Sequence, residues 1–181
     1  GLAVTPPGGR LGGMSLTRTE GSALTLFLAT EEATTRLAER LAGLLRPGDT
    51  VLLEGPIGAG KTHFARAFIR ARLGQSEEVP SPTFTLVQTY GPPDAAISGA
   101  GLSGTEIWHA DLYRLSHPDE VWELGLDEAF ATAICLVEWP DRLGSHLPPD
   151  ALRLTLSAEG AGGRAVLTGG RAGLLAALAD A

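Results

Sequence analysis

The residues with the most specific chemistry are Gly55-Pro56-Ile57-Gly58-Ala59-Gly60-Lys61-Thr62. A Gly-x-x-x-x-Gly-Lys-Thr run between a strand and a helix is a cradle for the phosphates of a nucleoside triphosphate. Gly55, Gly58 and Gly60 let the backbone turn tightly, so that loop N–H groups, Ala59 among them, face phosphate oxygens. Lys61 supplies a compact positive charge for the β- and γ-phosphates, and Thr62 offers a hydroxyl to Mg²⁺. His63 sits beside the phosphates with no chemistry assigned. The helix start adds its own attraction for anions. Of the 14 Lys and Arg residues only Lys61 is lysine, and it falls inside this loop.

Such a loop needs a carboxylate on a neighbouring strand to hold or orient the hydrated metal. Ile134-Cys135-Leu136-Val137-Glu138 ends four apolar residues in an acid, the pattern of a buried strand's C-terminal end. Ile107-Trp108-His109-Ala110-Asp111 offers a second acid, with His109 interrupting the apolar run. The pattern favours Glu138 for the metal and leaves Asp111 to orient or activate water. Thr83, in Ser81-Pro82-Thr83-Phe84-Thr85, could sense the γ-phosphate as switch segments do. A plain β-rich turn is equally open there. His109 and Asp111 share a strand face, but no third spaced ligand accompanies them, so His109 is read as a polar strand-end histidine.

The elements that must position these groups follow from composition and period. The chain has 181 residues, 44% hydrophobic and 19% charged, enough for one domain with a real core. Its formal net charge of −7 argues against autonomous nucleic-acid binding. Cys135, the single cysteine, excludes an internal disulfide, and its apolar setting reads as core. No apolar run approaches the roughly 20 residues of a membrane helix. The first residues lack the layout of a signal peptide. A cytoplasmic protein with no membrane partner is expected.

Residues 1–22, rich in Gly, Pro, Ser and Thr, read as a flexible N-terminal extension, and residues 23–181 as a single domain. Strands are expected at 24–28, 50–54, 83–90, 106–112 and 134–137. Helices are expected at 31–45 with Thr30 as N-cap, at 62–73, at 118–124 and at 172–179. Residues 91–104 read as a flexible loop, and 152–156 with 165–168 as a terminal antiparallel pair. Strands alternating with helices around a strand–loop–helix unit predict a three-layer α/β fold with a largely parallel central sheet and a C-terminal antiparallel hairpin.

Four motifs occur in order: Gly58-Ala59-Gly60-Lys61-Thr62, Ser81-Pro82-Thr83-Phe84-Thr85-Leu86-Val87, His109-Ala110-Asp111-Leu112-Tyr113-Arg114-Leu115 and Val137-Glu138-Trp139-Pro140. Together they closely resemble the TsaE (YjeE) family, small bacterial P-loop ATPases of tRNA threonylcarbamoyladenosine biosynthesis. The resemblance covers roughly residues 24–168. It implies ATP and Mg²⁺ as cofactors, with Thr62 and Glu138 holding the metal. It implies that Asp111 and Thr83 belong to the hydrolytic or switch apparatus. It also implies that Glu31 and Arg164 lie near the nucleotide and Trp139 beside the active site. The implied partners are the threonylcarbamoyl transferase and its inactive paralogue, a heterodimer through which tRNA is met indirectly. One departure is local. The family loop usually carries Asp-Leu where this chain has Pro56-Ile57, a change that a cradle built of backbone groups should survive.

Two other functions fit a phosphate loop. An autonomous small-molecule kinase usually needs a mobile lid carrying several arginines, yet residues 91–104 contain neither Arg nor Lys. A nucleotide-gated assembly module would need ATP binding without hydrolysis.

Overall fold

The computed structural model describes residues 10–11, 14–20, 23–74, 86–91 and 105–180. Among them, nine strands form one sheet: β1 (Arg10–Leu11), β2 (Met14–Glu20), β3 (Ala23–Leu28), β4 (Thr50–Glu54), β5 (Val87–Tyr90), β6 (Ile107–Asp111), β7 (Ile134–Glu138), β8 (Leu152–Glu159) and β9 (Gly162–Gly169). Their order is β1-β2-β3-β9-β8-β4-β7-β6-β5. β8, β4, β7 and β6 are mutually parallel at the centre, and the flanking pairings are antiparallel. The expected hairpin is present as β8 and β9. The parallel character is confined to the centre, while a broad antiparallel wing extends from β8 outward.

The burial patterns explain this division. β4 and β7 are apolar runs buried on both sides, as central parallel strands must be. β3 alternates intermediate and buried residues, which suits a strand with one covered face. Residues 14–20, expected to be part of an extension, pair with β3 in register Met14↔Leu28 to Glu20↔Ala23. The alternation Met14-Ser15-Leu16 was available in the sequence, but the Gly/Pro content around it hid the strand.

Helices cover both sides of the central strands. α1 (Glu31–Leu44), α2 (Lys61–Leu73) and α5 (Leu174–Ala179) pack against Val51, Leu53, Ile134 and Leu136. α3 (Glu120–Leu124), α4 (Leu126–Thr132) and a 3₁₀ segment (Pro140–His146) pack against Leu52, Cys135 and Val137 on the other face. α4 and the 3₁₀ segment were not foreseen, because both are too short for a helical period to emerge. Burial pushes the Cys135 thiol up to about 12, consistent with an inert core residue.

α1 and α2 matter most for position. Thr30 caps α1, its hydroxyl accepting from the Ala33 N–H at 3.3 Å, and Glu31 and Glu32 occupy the first turn. The buried stripe Ala33, Leu37, Ala38, Leu41 recurs at helical spacing. α2 begins instead at Gly60, in a left-handed conformation and with no side chain to cap the helix. The first turn's N–H groups are therefore available to an external anion. At the far end Arg72 donates to the Ala42 carbonyl at 2.9 Å and ties α2 to the close of α1.

Candidate functional site

β4 delivers the glycine loop to the C-terminal edge of the parallel strands, where open α/β sheets bind their ligands. Gly55 has φ 142°, and a Cβ there would lie 2.3 Å from the Leu156 carbonyl oxygen of β8. Only glycine passes so close to a neighbouring strand. Gly58 and Gly60 have φ of 82° and 102°, which turn the backbone back toward α2.

Lys61 is 5% exposed. Its Nζ donates to the Gly55 carbonyl at 2.6 Å and stands 3.4 Å from the centroid of the Trp139 ring. Burial lowers its pKa from the usual lysine value, opposed by the negative charges of Glu138, Asp111 and Asp141. A cation held by one carbonyl and one ring face has spare attraction for an arriving anion. Trp139 reaches this position through a left-handed turn (φ 58°) at the end of β7, and its ring also meets Tyr113 at 5.1 Å.

Thr62, the second residue of α2, donates its hydroxyl to Glu138 Oε1 at 2.9 Å. Glu138 is 2% exposed, and its other oxygen lies 2.7 Å from His109 Nε2. His109, read as a polar strand-end histidine, is a buried residue in the middle of β6, and its partner is Glu138 rather than Asp111. The parallel register pairs Asp111 with Glu138 at the strand ends and His109 with Leu136 two residues earlier. Side chains two residues apart share a face, so His109, Asp111 and Glu138 all project toward the α2 side. Only pairing the two strands in register makes this legible; neither segment reveals it alone.

Asp111 accepts from the Tyr113 N–H at 3.1 Å. Burial raises its pKa. The Tyr113 hydrogen bond opposes this, Glu138 adds to it, and His109 and Lys61 oppose it. The native state thus holds the proton more tightly than the unfolded chain. Stability should fall as pH rises from the ordinary aspartate range through the raised native value. Asp111→Asn is accordingly expected to raise the melting temperature of the ligand-free protein at pH 7. Thermal unfolding at pH 4 and 7 checks this, because the gain should shrink at the lower pH. An equal gain at both values would show that burial of the charge is not the cause.

On the other side of the loop a hollow is lined by Gly58, Ala59, Gly60, Glu31, His63 and Arg164, among others. The two residues supplied only by family resemblance, Glu31 and Arg164, therefore stand with the loop, although they lie far from it in sequence. His63 Nε2 is within hydrogen-bond distance of Thr35 Oγ1 (3.0 Å) and of the Glu31 carbonyl (3.2 Å). Thr83 lies outside the described residues. A larger cavity of about 520 Å³, between Trp122, Phe130 and Leu147, includes Gly48 just before β4. It therefore opens toward the N-terminal ends of the parallel strands, away from all these residues.

No group of three or more His, Cys, Asp or Glu side chains suited to a metal occurs among the described residues. The oxygen pair Thr62–Glu138 nevertheless suits a magnesium ion. Two adjacent ligands of an octahedron with bonds of about 2.1 Å are about 3 Å apart, and these oxygens are 2.9 Å apart. Magnesium commonly takes one or two protein oxygens and completes its shell with water and phosphate.

A Gly-x-x-x-x-Gly-Lys-Thr loop joining a buried parallel strand to an uncapped helix, with a carboxylate at the neighbouring strand's end, places the chain in the class of nucleotide-binding α/β proteins. A family model described as threonylcarbamoyl adenosine biosynthesis protein TsaE matches residues 28–166, and the chain belongs to that family. The tRNA threonylcarbamoyladenosine biosynthesis protein TsaE of Rickettsia felis is 41% identical over 131 residues, covering 72% of this chain and 71% of that protein. The protein of the same name from Bacillus subtilis is 37% identical over 130 residues, 71% of this chain and 74% of that one. The crystal structure of Bacillus subtilis YdiB superposes with a TM-score of 0.66 at 27% identity, covering 90% of this chain and 95% of the other.

Proposed function

We propose that this chain is a Mg²⁺-dependent P-loop ATPase required for threonylcarbamoyladenosine modification of tRNA. It acts in complex with the threonylcarbamoyl transferase and its inactive paralogue, and meets tRNA only through them, in the cytoplasm. The observation that carries the reading is the 2.9 Å bond from Thr62, at the start of the loop's helix, to Glu138 at the neighbouring strand end. The three-layer P-loop reading of the fold is supported by helices packed on both faces of the central strands. The family membership supports the pathway.

In this mechanism the loop amides and the α2 N-terminus bind the phosphates, and Lys61 leaves the Gly55 carbonyl to neutralise the β- and γ-oxygens. Thr62 and Glu138 would hold magnesium, whose chemistry when bound is charge neutralisation across the transferring phosphoryl group. Asp111 orients the attacking water, and Thr83 serves as the γ-phosphate sensor. Gly55, Gly58, Ala59 and Gly60 shape the cradle, while Glu31, His63 and Arg164 border the nucleotide. Rate enhancement comes from positioning and preorganised charge rather than from a covalent step.

Lys61 is the cation of the described site whose charge acts on both Glu138 and Asp111, and a partner is expected to add to it. ATP turnover measured alone and with the transferase heterodimer tests this. Slow turnover that rises severalfold or more with the heterodimer is the expected result. Fast turnover unchanged by the heterodimer would count against partner activation. Phosphorylation of a nucleoside or sugar would favour a kinase.

A further inference from the structure

Resting on the reading that Glu138 is a magnesium ligand, we propose that His109 is a positioning residue for the metal site: it immobilises Glu138 so that one carboxylate oxygen is presented to Thr62 and the metal. The side chain is completely buried, and its Nε2 lies 2.7 Å from Glu138 Oε2. Glu138 Oε1 is left to the Thr62 hydroxyl. The carboxylate is thus divided, one oxygen held from the sheet and the other turned toward α2.

The direction of the bond follows from chemistry. An ionised carboxylate only accepts, so His109 Nε2 carries the proton and donates. Nδ1 is buried and has no hydrogen-bond partner among the described residues. A second N–H there would be an unsatisfied buried donor, whereas a lone pair is the less costly occupant. Nε2 is therefore the nitrogen that donates to Glu138. A carboxylate that binds a metal through one oxygen gains affinity when the other is fixed, because fewer rotamers are lost on binding. β6 makes this arrangement economical in sequence. His109 reaches sideways to Glu138, and Asp111, two residues on, stands at the strand end in register with Glu138.

The test compares His109→Gln, His109→Asn and His109→Leu with the unsubstituted protein. A glutamine amide nitrogen can reach the place of Nε2, an asparagine nitrogen falls short of it, and leucine has no donor. Mn²⁺ binding to the protein–ADP complex is followed by electron paramagnetic resonance, and ADP binding without metal is followed by calorimetry. Leucine and asparagine should weaken Mn²⁺ binding about 10- to 100-fold, glutamine should restore most of it, and metal-free ADP binding should stay within about twofold. Should the leucine variant not fold, the glutamine–asparagine pair alone decides the question. Equal Mn²⁺ affinity in all four proteins would overturn the role of His109. So would metal-free ADP binding that falls in parallel with Mn²⁺ binding, which would mark general damage to the loop. If the unsubstituted protein shows no Mn²⁺ binding with ADP, the reading of Glu138 fails instead, whatever the variants do.

Discussion

Lys61→Ala is expected to reduce ATP turnover by about 10²- to 10³-fold, the usual effect of removing one preorganised donor to developing charge. Lys61 is the only lysine in the chain, and arginine cannot stand in for it without repacking. Lys61 is 5% exposed, and its ammonium sits between the Gly55 carbonyl and the Trp139 face. Its lowered pKa shows that burial opposes the charge, so an incoming triphosphate relieves a cost already present. The variant should therefore lose triphosphate affinity as well as turnover, and more for ATP than for ADP. Calorimetric titration with both nucleotides checks this, and a melting curve separates lost chemistry from lost fold. Turnover like that of the unsubstituted protein would remove the loop from the mechanism.

Glu138→Gln is expected to abolish most hydrolysis while leaving the fold intact. Glutamine has nearly the same shape, and its amide can still exchange hydrogen bonds with the Thr62 hydroxyl and with His109. What disappears is the negative charge, so metal-dependent binding should weaken and turnover should fall by about 10²-fold or more. Nucleotide binding without metal should persist. The variant also separates an ATPase from an assembly module. If it binds ATP, associates with the heterodimer and still supports full tRNA modification, hydrolysis is dispensable. Loss of sustained modification with retained association is the outcome consistent with hydrolysis.

The sequence carried the strand–loop–helix unit because each part has a local cause. The apolar run of β4, the glycines and the Lys-Thr pair are contiguous, and helix α1 announced itself through Thr30 and a long apolar period. The acids Asp111 and Glu138 were legible as strand ends. The direction of the Glu138 side chain, its tie to His109 and the seat of Lys61 on Trp139 depend on how distant segments pair, and no single segment encodes that. Glu31 and Arg164 had no local signature; they stand with the loop because α1 and the β8–β9 hairpin meet it in space. The strand at 14–20 was missed for the opposite reason, since a mostly polar strand with two apolar residues resembles a linker.

The account is tested most directly by multiple-turnover modification of tRNA by the transferase heterodimer and this chain, with a preformed threonylcarbamoyl donor and either ATP or a non-hydrolysable analogue. Product should exceed one equivalent per complex with ATP and stay at or below one with the analogue. Equal, sustained product with both nucleotides would contradict a role for hydrolysis at the Gly55–Thr62 loop.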